Sequence, residues 1–179
     1  CGKFRRWEFS RRRFRRFEMP DYTLLAQQIE ELAEIDAHWL PVLANTAALL
    51  WSALEDINWA GFYLVDSDTG SDGVPELRLG PFQGNVACVR IPFGKGVCGT
   101  AAETEKSQLV EDVHKFPGHI ACDVASNSEV VVPLKVEGSV VGVLDIDSPT
   151  RGRFGEEELL GLEVVARKIE QVVEFERFV

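Results

Sequence analysis

Apolar residues recur at helical spacing near both ends of the chain and follow strand patterns between them. A first helix is predicted after Asp21, which suits an N-cap and precedes apolar residues three and four positions apart up to Ile35. A second helix is predicted over 41–54, with Pro41 in its first turn, and a last one over 156–175, with three glutamates at its start. These segments predict helices at both ends of one domain.

Six segments between the outer helices carry the β-branched or alternating residues of strands. A short helix is expected among them, over 97–103. This order predicts an α+β fold with a central, mostly antiparallel sheet of about six strands, flanked by the N- and C-terminal helices. The predicted strands cover residues 59–66, 76–80, 87–91, 108–110, 129–136 and 139–146.

The last two strands meet at Glu137-Gly138, and the loop between them sets their register. A two-residue loop needs positive φ at Glu137, whereas a three-residue loop needs it only at Gly138, so the three-residue loop is predicted. Its register pairs Glu129 with Asp145 and brings Asp147 one pleat further along the same face. The other predicted pairs are Val131 with Val143, Val130 with Leu144, Val132 with Gly142 and Leu134 with Val140.

Three carboxylates are therefore expected at one end of this hairpin. Like charges across a strand pair are destabilising unless a partner compensates for them. One interpretation is a solvated strand end, in which Asp145 and Asp147 only form the turn before Ser148-Pro149. The other is a pocket for a cation or a proton: an ammonium group, a metal ion, or a carboxyl that keeps its proton near neutral pH.

Composition and charge limit the classes of protein to consider. The 179 residues are 45% hydrophobic and 27% charged, which is typical of one globular domain without a membrane span. The net charge of -10 argues against a general binder of nucleic acid or anionic membranes. Residues 1–18 hold eight Lys and Arg against two Glu. They are predicted to be a basic appendage, an upstream, tag or targeting remnant outside a single domain at 19–179; a nucleic-acid arm or Arg-rich transit segment is the alternative.

Cysteines stand at positions 1, 88, 98 and 122, so the predicted domain has three. An odd number at low density argues against a disulfide scaffold and favours a reduced, cytoplasmic protein. Each one alone could be a small buried hydrophobe, but Cys98 lies in a glycine-rich stretch that opens a helix and Cys122 in a polar segment, where thiols can be reactive. Together with His114 and His119 they match no compact zinc-ligand spacing, so no metal is predicted.

Several motifs together resemble the free methionine-(R)-sulfoxide reductases, small and usually dimeric enzymes built on the GAF fold. The resemblance extends from about residue 22 to 173, and the three cysteines of the domain stand at the family's positions. The motifs are GPFQG at 80–84, ACVRIP at 87–92, GKGVCG at 94–99, HIACD at 119–123, SNSE at 126–129 and GVLDIDS at 142–148.

The resemblance implies reduction of free L-methionine (R)-sulfoxide to methionine without a metal or organic cofactor. Cys122 would attack the sulfoxide sulfur as a thiolate and become a sulfenic acid when methionine leaves. Cys88 is the first choice to resolve it, with Cys98 as a second partner or relay. Thioredoxin would then reduce the disulfide. The alternative from a different functional class, a GAF domain that only senses a small ligand, has no need of three thiols beside a carboxylate cluster.

The resemblance also implies roles for the remaining candidates. Glu129 is the first choice to protonate the sulfoxide oxygen, and Asp145 and Asp147 would bind the substrate ammonium. Trp59 would pack against the substrate methyl group, although a purely structural core tryptophan is the alternative. Backbone N–H groups of Ile120, Ala121 and Asp123 would bind the substrate carboxylate, so that only the free amino acid satisfies both ends of the site.

Overall fold

A computed structural model describes residues 19–66, 73–118 and 124–175. Within these ranges helices stand at both ends and six strands lie between them. The helices are α1 (Tyr22–Ile35), α2 (Trp39–Ala53), α3 (Gly96–Thr104) and α4 (Glu156–Val172), with a 3₁₀ turn at Val113–Lys115. The strands are β1 (Trp59–Val65), β2 (Glu76–Gly84), β3 (Arg90–Pro92), β4 (Gln108–Val110), β5 (Ser128–Val136) and β6 (Ser139–Ser148).

Most predicted elements are present, and the differences lie at their ends. Asp21 caps α1 as predicted, since its side chain accepts a hydrogen bond from the Leu24 N–H at 3.0 Å. The second helix begins before Pro41 because His38 caps it, with Nδ1 accepting from the Leu40 N–H at 3.2 Å. The predicted strand over 87–91 is wrong in its first part, because β3 begins only at Arg90.

All strand pairs of the described sheet are antiparallel, in the order β3-β2-β1-β6-β5-β4. The α+β prediction with a six-stranded antiparallel sheet is therefore confirmed. The sheet is covered on both faces. Helices α1, α2 and α4 pack on the face that carries Phe62, Val132 and Leu144, and α3 packs on the face that carries Trp59 and Val131.

The predicted register of the last hairpin is wrong. Glu137 and Gly138 form a two-residue loop with φ of 52° and 81°, so Glu137 does adopt the left-handed conformation that the prediction avoided. An irregularity between Leu134 and Lys135 then shifts the pairing once more. As a result Glu129 pairs with Asp147, not Asp145.

The other predicted pairs shift in the same way, by two residues. Because this is an even number, each side chain keeps the face that was predicted for it. The observed pairs are Val131 with Asp145, Val130 with Ile146, Val132 with Leu144 and Leu134 with Gly142.

Some predictions fall outside the described residues. These are the basic appendage at 1–18, part of the turn at 67–75, and the segment 119–123 with Ile120, Ala121, Cys122 and Asp123. They stay predictions, as does the boundary of the domain at residue 19. None of the helices in the described ranges has the length and apolar character needed to cross a bilayer.

Candidate active site

Three central strands bring the predicted carboxylates to one end of the sheet. Asp147 on β6 lies between two neighbours, Trp59 on β1 and Glu129 on β5. Asp145 lies two residues earlier on β6, opposite Gly61 on one side and Val131 on the other. Strand alternation puts Trp59, Glu129, Asp145 and Asp147 on the same face of the sheet. This is the face against which α3 packs.

Helix α3 adds the thiol of Cys98 to the carboxylates. The Cys98 Sγ lies 3.8 Å from Glu129 Oε1. This sulfur, one carboxyl oxygen of Glu129 and one of Asp145 all lie within 4.8 Å of one another. The helix can approach because Gly99 has no side chain: a Cβ there would lie 2.3 Å from the carbonyl oxygen of Pro92. A thiol and two carboxyls are also donors that a divalent metal ion can use.

Burial dominates the electrostatics of this cluster. Cys98, Glu129 and Asp145 are only 4%, 7% and 5% exposed. Burial, followed by Asp145 and Asp147, raises the pKa of Glu129 well above its ordinary value. Burial raises the pKa of Asp145 to about 7. Both carboxyls therefore hold a proton more readily than an exposed carboxyl does, which is what a proton donor near neutral pH requires.

The Cys98 thiol is held in its protonated form. Burial, followed by the charges of Asp145 and Glu129, raises its pKa well above the ordinary value of a thiol. Nucleophilic attack requires the thiolate. The position of Cys98 therefore favours a role as a hydrogen-bonding neighbour of Glu129 over a role as the attacking sulfur.

An aromatic wall borders the cluster. The Trp59 ring stacks on Tyr63 with centroids 5.7 Å apart and on Phe82 with centroids 5.2 Å apart. A register irregularity between Gly61 and Tyr63 accompanies this packing of β1 against β2. Trp59 is 1% exposed, so it is a core residue that also faces the acidic end of the sheet.

Two buried polar atoms at this end have no hydrogen-bond partner among the described residues. They are the Trp59 Nε1 donor and the Asp145 Oδ1 acceptor. A buried polar atom without a partner is costly, and such atoms are rare outside sites that bind something. The pair fits a ligand that offers one group to accept a hydrogen bond and another to donate one.

The cysteines differ in redox state. Cys88, in the connection between β2 and β3, takes part in a disulfide bond whose partner lies outside the described residues. Cys98 is a free thiol. Gly118, the last described residue before the segment 119–123, contacts the start of α3, because its carbonyl accepts a hydrogen bond from the Gly96 N–H at 3.2 Å.

Five predicted site residues therefore come together: Trp59, Cys98, Glu129, Asp145 and Asp147. Tyr63 and Phe82, which form part of the aromatic wall, were not among the predicted site residues. Tyr63 could have been found by counting four residues from Trp59 along β1, which returns to the same face. The stacking of Phe82 depends on the register of β2, which the pattern of residues does not give.

Comparisons with known proteins bear on the family and the fold of the chain. The family model of the GAF domain matches residues 43–174. The chain is 52% identical over 152 residues to the free methionine-R-sulfoxide reductase of Escherichia coli, covering 85% of this chain and 88% of that protein. It is 50% identical over 123 residues to the free methionine-R-sulfoxide reductase of Saccharomyces cerevisiae, covering 66% of each.

A solved structure extends the similarity to three dimensions. The free methionine-R-sulfoxide reductase from Neisseria meningitidis, in complex with its substrate, superposes with a TM-score of 0.77. The two sequences are 44% identical, and the match covers 88% of this chain and 87% of that one. The GAF fold expected from the sequence motifs is thereby confirmed.

Proposed function

The chain belongs to the free methionine-(R)-sulfoxide reductases of the GAF family, and on this premise we propose how its residues reduce free L-methionine (R)-sulfoxide to L-methionine. The observation that carries the proposal is the buried cluster of Cys98, Glu129 and Asp145 beside the Trp59 ring. It combines a proton source with an unpaired acceptor, and a polar zwitterionic substrate can use both.

The two ends of the amino acid select the substrate. Asp145 Oδ1, which lacks a partner among the described residues, accepts a hydrogen bond from the substrate ammonium, and Asp147 binds the same group. Backbone N–H groups of Ile120, Ala121 and Asp123 bind the carboxylate. A methionine sulfoxide within a peptide has neither end group, so it would leave these buried partners unpaired. The enzyme thus acts on the free amino acid.

Glu129 delivers the proton that the sulfoxide oxygen needs. Burial, followed by Asp145 and by Asp147 directly across the strand pair, raises the pKa of Glu129 well above the ordinary value and so favours the protonated carboxyl. The Trp59 ring packs against the substrate methyl group, and its Nε1–H is a further donor toward the sulfoxide oxygen. Protonation makes the oxygen a better leaving group as the S–O bond lengthens.

Two thiols carry the electrons. The Cys122 thiolate attacks the sulfoxide sulfur, the oxygen passes to Cys122 as a sulfenic acid, and methionine leaves with the electron pair. The Cys88 thiol then attacks the sulfenic sulfur, forming the Cys88–Cys122 disulfide and releasing water. The disulfide at Cys88 and the protonated state of Cys98 support Cys88 as the resolving residue.

Recycling and assembly complete the proposal. Thioredoxin reduces the disulfide by thiol exchange, so the reaction uses no metal or organic cofactor. The enzyme acts as a homodimer in the cytoplasm, where thioredoxin and a reducing environment are available.

The test is NADPH consumption in the presence of thioredoxin and its reductase. Free methionine (R)-sulfoxide should be turned over, whereas the S epimer and an N-acetylated, C-amidated methionine sulfoxide should not. Methionine is measured directly, so that slow recycling is not mistaken for lack of reduction. Absence of methionine from the free R epimer in a single turnover of reduced protein overturns the proposal.

A further inference from the structure

The cluster of Cys98, Glu129 and Asp145 also has the dimensions of a metal site. Donor atoms of these three residues lie within 4.8 Å of one another, and the Cys98 Sγ is 3.8 Å from Glu129 Oε1. Around tetrahedral zinc, with Zn–S near 2.3 Å and Zn–O near 2.0–2.2 Å, neighbouring ligand atoms are roughly 3–4 Å apart. Small side-chain rotations would therefore complete a three-ligand sphere.

A second, independent observation indicates that something binds here. Asp145 is 5% exposed, yet its Oδ1 has no hydrogen-bond partner in the described part of the chain. Its carboxyl oxygens belong to the cluster, so the unused lone pairs are available to a ligand. The charges that act on Glu129 come from Asp145 and Asp147, which are both acidic. A divalent cation would relieve this repulsion.

We propose that Cys98, Glu129 and Asp145 form a site for one Zn²⁺ ion per chain, and that zinc bound there excludes methionine sulfoxide. One thiolate with two carboxylates suits zinc better than magnesium or calcium, which take only oxygen ligands. Binding breaks the Cys98 S–H bond and the O–H bond of each carboxyl that is still protonated, and these protons pass to solvent with no change in oxidation state. Water takes the fourth position.

Zinc binding itself does not depend on the proposed reaction, whereas the exclusion of substrate rests on the role proposed for Asp145. Because that carboxylate cannot hold the substrate ammonium and a zinc ion together, the two ligands should compete. Zinc would then act as a reversible inhibitor at the site where methionine sulfoxide is reduced.

The experiment titrates the full-length protein with ZnCl₂ by calorimetry and with CoCl₂ by absorption. The proposed Cys88–Cys122 disulfide is left oxidised, and every protein carries Cys1→Ser, so that on this pairing the thiol offered is that of Cys98. We expect one ion per chain and a thiolate-to-cobalt charge-transfer band. Cys98→Ser should abolish the band, and both Cys98→Ser and Asp145→Asn should weaken zinc binding about tenfold or more.

Matched variants separate the site from other donors. Glu137→Gln, which removes an exposed carboxylate at the tip of the same hairpin, should bind zinc as the parent does. Cys98→Ala repeats the test without a hydroxyl, and circular dichroism with thermal unfolding identifies any variant that fails to fold. A cobalt band that survives in folded Cys98→Ser, or zinc affinity unchanged in folded Asp145→Asn, overturns the site.

Competition tests the exclusion of substrate. Free methionine (R)-sulfoxide at saturating concentration should weaken zinc binding several-fold. Zinc affinity that is unaffected by the sulfoxide overturns the exclusion but leaves the metal site intact. Zinc binding by a protein that forms no methionine would instead contradict the proposed reaction alone, so the two failures are distinguishable.

Discussion

Glu129 on β5 lies directly across the strand pair from Asp147 on β6. Directly opposed carboxyls repel when both are ionised, so one of them favours its protonated form. Glu129 is the more buried of the two, at 7% exposure, and Asp145 adds a further charge nearby. This relationship identifies Glu129 as the carboxyl best suited to give up a proton during the reaction.

Glu129→Gln should lower the rate of methionine formation by about 10²-fold or more, because the amide keeps the size of the side chain but cannot transfer a proton. The measurement is a single-turnover assay with reduced enzyme at saturating substrate. Glu137→Gln, at the exposed tip of the same hairpin, is the control and should retain the parent rate. If the Glu129→Gln enzyme forms methionine as fast as the parent does, Glu129 is not the proton donor.

The sequence was sufficient to predict that the three carboxylates share a face, but not how they pair. Strand alternation alone gives the face, and a register error of two residues leaves it unchanged. The pairing depends on the left-handed backbone at Glu137 and the irregularity after Leu134. Both are small backbone adjustments determined by packing of the whole sheet, so the pattern of residues does not reveal them.

The approach of Cys98 to Glu129 could not be predicted for a different reason. The two residues are 31 positions apart and lie on α3 and β5. Their distance depends on how closely the helix packs on the sheet, which Gly99 permits at Pro92. The glycine-rich motif indicated the start of a helix but not its partner. Long-range packing of this kind lies beyond local patterns.

The cysteine variants should separate attack from resolution. Cys122→Ser should form no methionine even in a single turnover, because it lacks the attacking thiolate. Cys88→Ser should form about one equivalent per enzyme and then stop, because the sulfenic acid is no longer resolved. Methionine is quantified after mixing reduced enzyme with excess substrate. Equal yields from the two variants would contradict this division of roles.

Cys98→Ala is the matched variant for the resolving step. The Cys98 thiol of the parent is buried and protonated, so the variant without it should still complete several turnovers with thioredoxin. Loss of the contact between Cys98 and Glu129 will alter the rate of these turnovers. The measured quantity is the number of methionine molecules formed per enzyme. A yield that stops at one equivalent would make Cys98, and not only Cys88, necessary for recycling.

Glu137→Asn should stabilise the protein by about 0.5–1 kcal/mol, because Asn-Gly tolerates the two positive φ angles of this turn better than Glu-Gly does. The free energy of unfolding is measured in urea. Glu137→Gln removes the same charge but leaves a residue that disfavours the left-handed conformation, so its free energy of unfolding should change little. If the free energy of unfolding rises equally in the two variants, the stabilisation comes from loss of the charge and not from the backbone conformation.

Asp145→Asn should become more stable relative to the parent protein as pH rises. Burial raises the pKa of Asp145 to about 7, so the folded parent holds a proton that the unfolded chain has already lost. Stability from this group is complete below its unfolded pKa and declines as pH rises through about 7. Asparagine cannot ionise, so the stability difference should shift in favour of the variant by on the order of 2–4 kcal/mol between about pH 4 and pH 8. Urea unfolding without substrate measures this difference, with Glu137→Gln as the control. Parallel stability curves for Asp145→Asn and the parent would show that folding does not raise the pKa of Asp145.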